Sequence, residues 1–138
     1  MSNQDTGKKI IKSEEQWKKE LPEEVFNIVR KHGTERAFTG EYEKLYEPGK
    51  YHCRCCGALL FDSETKYNSG SGWPSFYDAH KDNITEKSDN TWMMQRVELV
   101  CNKCDAHLGH VFEDGPQPTG LRYCINSASL SFKEEGES

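Results

Sequence analysis

Cys53-Arg54-Cys55-Cys56-Gly57-Ala58-Leu59-Leu60 is met a second time as Cys101-Asn102-Lys103-Cys104-Asp105-Ala106-His107-Leu108. Both stretches follow Cys-x-x-Cys-x-Ala-x-Leu. A Cys-x-x-Cys knuckle aims two sulfurs at one point, and two knuckles supply the four thiolates that a tetrahedral structural zinc takes. Unrelated redox pairs would have no reason to share the Ala and Leu flank. In the first copy Cys55 competes with its neighbours as a ligand, and the repeat register selects Cys53 and Cys56. Cys55 is then a packed or surface thiol. The expectation is about one zinc per chain, held by Cys53, Cys56, Cys101 and Cys104. Where the first copy has Leu59 the second has His107, so the second copy is expected to face a site.

Outside the repeat, the totals bound the class. A chain of 138 residues fits one domain and buries roughly two-thirds of its unfolded surface. The hydrophobic share of 34% and mean hydropathy of −0.90 point to a small core that a metal staple would help. A net charge of −5 argues against nucleic acid as a partner. No apolar run approaches the about 20 residues needed to span a bilayer, and Met1–Lys9 lacks the apolar centre of a signal peptide. A cytoplasmic protein without membrane contact is expected. In that compartment six cysteines favour metal binding or catalysis over disulfides.

Local patterns set the architecture. Residues 1–12 read as a flexible N-terminus, 13–133 as one domain and 134–138 as a flexible tail. Ser13 to Glu20 reads as a short helix, because Ser13 and Gln16 make a capping box. Pro22 suits the first turn of a second helix with Val25, Phe26, Ile28 and Val29 on its apolar side. His32-Gly33 would end it, with Gly33 as the left-handed cap. From Tyr51 onward short strands and turns dominate. Ala128, Leu130 and Phe132 alternate with Ser127, Ser129 and Ser131, the pattern of a half-buried strand. The product is a mainly β domain with a helical N-terminal segment packed on it.

Cys124 stands apart from the staple. In an extended segment Arg122, Cys124 and Asn126 share one face, while Leu121, Tyr123 and Ile125 share the other. A free cysteine is ordinarily a small core residue. A guanidinium and an amide on its own face favour instead a reactive thiol, since a nearby cation stabilises thiolate. His107 and His110 are three apart, on opposite faces of a regular strand. A bulge or bend at Gly109 would bring both imidazoles to one site. An ordinary exposed imidazole or a fifth metal ligand are the alternatives, and four cysteines already fill zinc. In Ser69-Gly70-Ser71-Gly72-Trp73-Pro74-Ser75-Phe76, Trp73 and Phe76 would build an apolar wall. Standing alone, that segment would be a surface loop with two core aromatics.

Together these segments resemble the B-type methionine sulfoxide reductases. The matching stretches are Gly-Ser-Gly-Trp-Pro-Ser-Phe at 70–76, His-Leu-Gly-His-Val-Phe-Glu-Asp-Gly at 107–115, and Gly-Leu-Arg-Tyr-Cys-Ile-Asn-Ser-Ala-Ser-Leu at 120–130, besides both knuckles. The resemblance implies two antiparallel sheets forming an open barrel or sandwich, with a structural zinc remote from the reaction centre. It implies Cys124 as nucleophile on the sulfoxide sulfur, with His110, His107 and Asn126 around the thiol and sulfoxide oxygen. Arg122 and Asp114 would shape the electrostatics, and Trp73, with Phe76 beside it, would pack on the substrate. The substrate would be methionine R-sulfoxide in an oxidised protein or peptide, or free. The partner would be a thioredoxin-type reductant, the role protein repair in the oxidative stress response, and the enzyme a monomer. Ser71 departs from the pattern, because many members carry a resolving cysteine there.

A zinc-stapled module that binds peptide or RNA through Trp73 is the runner-up. It leaves the Arg122-Cys124-Asn126 face without a task.

Overall fold

The computed structural model of the chain describes residues 12–31, 33–89 and 96–134. Helix α1 (Glu14–Glu20) opens on the expected capping box. Ser13 Oγ accepts the Gln16 N–H at 3.2 Å, and Gln16 Oε1 accepts the Ser13 N–H at 3.0 Å, so two orphan donors are satisfied at once. Helix α2 (Glu23–Val29) follows Pro22, which takes the N-cap position rather than the first turn, and buries Val25, Phe26 and Val29. Its C-cap is Arg30. Gly33, three residues beyond it, is therefore not the residue that caps this helix. It serves close approach instead. Its N–H reaches Asn27 O at 3.0 Å, and a Cβ there would fall 2.8 Å from that oxygen. His32 lies outside the described residues.

The strands in chain order are β1 (Gly49–Cys53), β2 (Leu59–Asp62), β3 (Lys66–Tyr67), β4 (Ser75–Phe76), β5 (Ile84–Asp89), β6 (Arg96–Cys101), β7 (His107–Phe112), β8 (Arg122–Ile125) and β9 (Leu130–Glu134). They form a sheet of order β2-β1-β9 and a larger one of order β3-β4-β8-β7-β6-β5. Every pairing is antiparallel, and neither sheet closes into a barrel. The expected strand over 127–132 is shorter than its alternation suggests, since Ser127–Ser129 is a 3-10 turn and β9 starts at Leu130. The Glu35 carboxylate accepts the Ser127 and Ala128 N–H groups at 2.9 and 3.1 Å, taking them out of any ladder.

The Cys-x-x-Cys repeat is also a repeat in three dimensions. Each copy is the turn of a hairpin, β1–β2 and β6–β7. In both, the first cysteine's N–H donates to the alanine carbonyl at 2.8 Å, as Cys53 to Ala58 and Cys101 to Ala106. The residue after the second cysteine is left-handed in both, Gly57 at φ 83° and Asp105 at φ 64°. Such a φ is rare outside glycine, with Asp and Asn the usual exceptions. Each hairpin then slips its register beside the knuckle. His52 pairs Leu59 but Tyr51 pairs Phe61, and Val100 pairs His107 but Leu99 pairs Gly109. The extra residues, Leu60 and Leu108, occupy matching places in the repeat, and both are fully buried.

Aromatic side chains join the sheets. Phe61 of β2 stacks on Phe76 of β4 at 4.3 Å, and Tyr51 of β1 meets Phe76 edge-on at 5.2 Å. Behind the second knuckle, Arg30 donates to Cys104 O at 2.7 Å and lies 4.6 Å from the Trp17 ring centroid, tying both helices to that turn. No helix among the described residues is long and apolar enough to cross a membrane.

Candidate active site

Four strands carry the centre of the site in one row. Cys124 of β8 pairs His110 of β7 on one side and Ser75 of β4 on the other, while His110 pairs Glu98 of β6. Directly opposed residues in antiparallel strands hold their Cβ atoms about 5 Å apart, so the thiol and the imidazole are neighbours by register. The bulge at Leu108 supplies the second imidazole. One extra residue cancels the odd spacing, and the His107 and His110 rings lie 5.7 Å apart, edge to face. The irregularity expected near Gly109 thus falls one residue earlier. Gly109 has its own task, because a Cβ there would strike the Cys124 carbonyl.

His107 is nearly buried, and its Nδ1 lies 2.8 Å from a Glu98 carboxylate oxygen. It stands behind His110, which lines a cavity of ≈ 320 Å³ together with Ser71, Trp73, Arg96, Cys124 and Asn126. Arg122 also lines it, held by a two-pronged ion pair with Asp114 (2.9 and 3.1 Å) and lying 4.4 Å from the Phe112 ring centroid. That pairing holds the Asp114 carboxyl below its ordinary pKa and raises Arg122.

Cys124 differs from the thiolate its neighbours suggested. Burial pushes its pKa up, and the Ser71 hydroxyl and the Arg122 charge offset this only in part. Ser71 Oγ lies 4.0 Å from Cys124 Sγ. Ser69 Oγ backs it, donating to Ser71 Oγ at 2.8 Å and hydrogen-bonded to Ser75 Oγ at 2.7 Å.

Phe76 does not join the site. It pairs Tyr123, and cross-strand partners share a face. Its ring therefore faces the core with Tyr123 and is fully buried. Asn126 reaches the cavity with its amide committed. Its Oδ1 accepts the Glu35 N–H at 3.0 Å, and its Nδ2 donates to Leu108 O at 3.3 Å.

Three residues that the sequence did not single out matter here: Glu35, Glu98 and Arg96. The Glu35 carboxylate caps the Ser127–Ser129 turn, while its backbone carbonyl accepts the Trp73 indole N–H at 2.9 Å. Burial raises its pKa against the pull of those N–H donors. Glu98 and Arg96 alternate on β6, the only pattern that hinted at a shared face.

None of the knuckle cysteines lines this cavity. Cys53 and Cys104 Sγ are 3.6 Å apart, Cys56 and Cys101 Sγ 3.5 Å, and all four fall within 4.8 Å of one another. A tetrahedron of thiolates about 2.3 Å from one ion has edges of about 3.8 Å. The set therefore fits a four-thiolate metal centre that clamps the two hairpin turns together.

Residues 21–134 match the SelR domain family. The chain belongs to the B-type peptide methionine sulfoxide reductase family. The peptide methionine sulfoxide reductase MsrB of Leptospira interrogans is 58% identical over 127 residues, covering 91% of this chain and 97% of that protein. The MsrB of Hahella chejuensis is 58% identical over 90% of each chain, and that of Methanosarcina barkeri 54% identical over 94% of this chain and 92% of its own. Among solved structures, the Mis18 "Yippee-like" domain matches with a TM-score of 0.50 at 20% identity, over 66% of this chain and 100% of that one, a likeness of fold alone.

Proposed function

We propose that the protein reduces methionine R-sulfoxide in oxidised proteins to methionine, a repair reaction, with Cys124 as the nucleophile. The observation that carries this reading is the direct pairing of His110 with Cys124 on the wall of the cavity. Sulfur attack on a sulfoxide needs a thiolate, and the oxygen leaves only when protonated. A substrate that brings a proton acceptor to Cys124 overcomes the burial that keeps the thiol neutral. His110 donates to the sulfoxide oxygen. A Cys124–sulfur bond forms as the protonated oxygen leaves as water. A water then attacks the Cys124 sulfur, the sulfur–sulfur bond breaks with its electron pair on the methionine sulfur, and a proton is released. The balance is one thiol and one sulfoxide in, one sulfenic acid and one thioether out.

Trp73 walls the substrate methyl group, and its fixed ring makes the R epimer the one whose oxygen faces His110. His107, braced by Glu98, orients His110. Arg122, braced by Asp114, offsets part of the desolvation of the Cys124 thiolate. Asn126 holds the far wall in place. With Ser71 beside Cys124, the sulfenic acid is returned to thiol by an external dithiol of thioredoxin type, in a reducing compartment such as the cytoplasm. Cys53, Cys56, Cys101 and Cys104 hold one zinc, which supplies rigidity and no chemistry.

The test is turnover of resolved sulfoxide epimers with dithiothreitol. The R epimer is consumed, the S epimer is not, and Cys124→Ser abolishes the reaction. Activity that survives in Cys124→Ser would sink the assignment.

A further inference from the structure

We propose that Phe38 selects protein-bound substrates by docking an apolar side chain two residues away from the methionine sulfoxide. The proposal rests on the reductase reading above and specifies the substrate that site prefers. Phe38 and Tyr46 are the large apolar side chains left exposed among the described residues, at 61% and 53%. Tyr46 has the Lys66 ammonium 3.9 Å from its ring centroid. Phe38 instead rests on the lip of the catalytic cavity. Its N–H donates to Gly72 O at 2.7 Å, and its ring lies so close over Gly72 that a Cβ there would fall 2.9 Å from it. Gly72 sits between Ser71 and Trp73, both of which line the cavity.

The backbone at Phe38 is strained toward this position. Its φ is 67°, a region that a bulky residue enters only at a cost. Glycine would fit that conformation freely, yet the position holds an exposed ring. Two anchors over-determine the strained segment. Glu35 O accepts the Trp73 indole N–H, and the Glu35 carboxylate takes two N–H groups of the Ser127–Ser129 turn. Ring and cavity wall are thereby fixed to each other.

The geometry of an extended peptide supplies the occupant. Side chains at i and i+2 point the same way, about 6–7 Å apart. When a sulfoxide side chain enters the cavity, its neighbours two positions along project onto the lip. An apolar one buries surface against Phe38. Free methionine sulfoxide has no such neighbour.

The experiment compares kcat/KM for acetyl-Leu-Ala-Met(O)-Ala-Leu-amide and acetyl-Ser-Ala-Met(O)-Ala-Ser-amide, both as R-sulfoxides, with N-acetylmethionine R-sulfoxide as reference. The wild-type protein is expected to favour the leucine peptide over the serine peptide by about tenfold. In Phe38→Gly, which suits the left-handed backbone and keeps the fold, that ratio should fall to about one, with a leucine-peptide loss several-fold larger than any loss on the reference. A wild-type ratio near one overturns the proposal. So does a ratio unchanged in Phe38→Gly, or an equal loss on all three substrates, which would mean a structural role. Failure of the wild-type protein to reduce even the reference would instead defeat the reductase reading.

Discussion

Ser71 Oγ and Cys124 Sγ lie 4.0 Å apart, so the side chain that reaches the proposed nucleophile from this loop is a hydroxyl that cannot accept its oxidation. A sulfenic acid formed on Cys124 has no thiol at that position to condense with. After one turnover without reductant, the wild-type protein is expected to retain a Cys124 adduct with a 1,3-diketone trap, read by mass spectrometry. Ser71→Cys should lose most of that adduct and gain an internal disulfide to Cys124. A disulfide between Cys55 and Cys124 in the wild-type protein would contradict this.

Burial raises the Cys124 pKa above that of an ordinary thiol. Thiol alkylation follows the thiolate fraction, so its rate is expected to rise with pH to a midpoint above that of an ordinary thiol. The Ser71 hydroxyl and the Arg122 charge each lower this pKa, so Ser71→Ala and Arg122→Gln should both move the midpoint further up. A downward shift in either variant would reverse the sign assigned here.

Glu35 is expected to matter as much to stability as to the site. Glu35→Ala leaves the Ser127 and Ala128 N–H groups without their acceptor. Losing a hydrogen-bonded carboxylate costs about 2–3 kcal/mol, visible in urea melts. Because the segment that holds Trp73 moves with it, KM should also rise. Wild-type stability in this variant would show that the cap contributes nothing.

The four-thiolate centre should carry about one zinc per chain. Cys101→Ser is expected to lower both the metal content and the melting temperature, with loss of activity tracking the unfolded fraction. A folded, metal-depleted and inactive variant would instead place the metal in the chemistry.

Much of this was legible in one dimension because the knuckles are local. Ligand spacing, the shared Ala and Leu, and the odd His107 all sit within one short stretch. The alternation around Cys124 likewise located Arg122 on the cavity side and Tyr123 in the core. What depended on a partner strand was not legible. The bulge between His107 and Gly109 is defined by its pairing with β6, so Gly109 marked the place while the extra residue, Leu108, was not legible. Phe76 looked like a wall residue until its pairing with Tyr123 turned it inward. Glu35 left no signal at all. Its partners, Trp73, Asn126, Ser127 and Ala128, lie far along the chain, and an isolated glutamate before Arg36 reads as ordinary surface. The serine alternation over 127–131 failed in its first half, where the 3-10 turn buries Ser127 and Ser129 and leaves Ala128 half-buried, for the same reason.

The twin hairpins suggest how such a site is assembled. Knuckle, left-handed exit and buried bulge recur in both copies, yet only one copy holds an imidazole where the other holds Leu59. A duplicated scaffold tolerates this asymmetry, since one half secures the joint while the other is at liberty to diversify. Chemistry then has a rigid seat before any reactive group is chosen to occupy it.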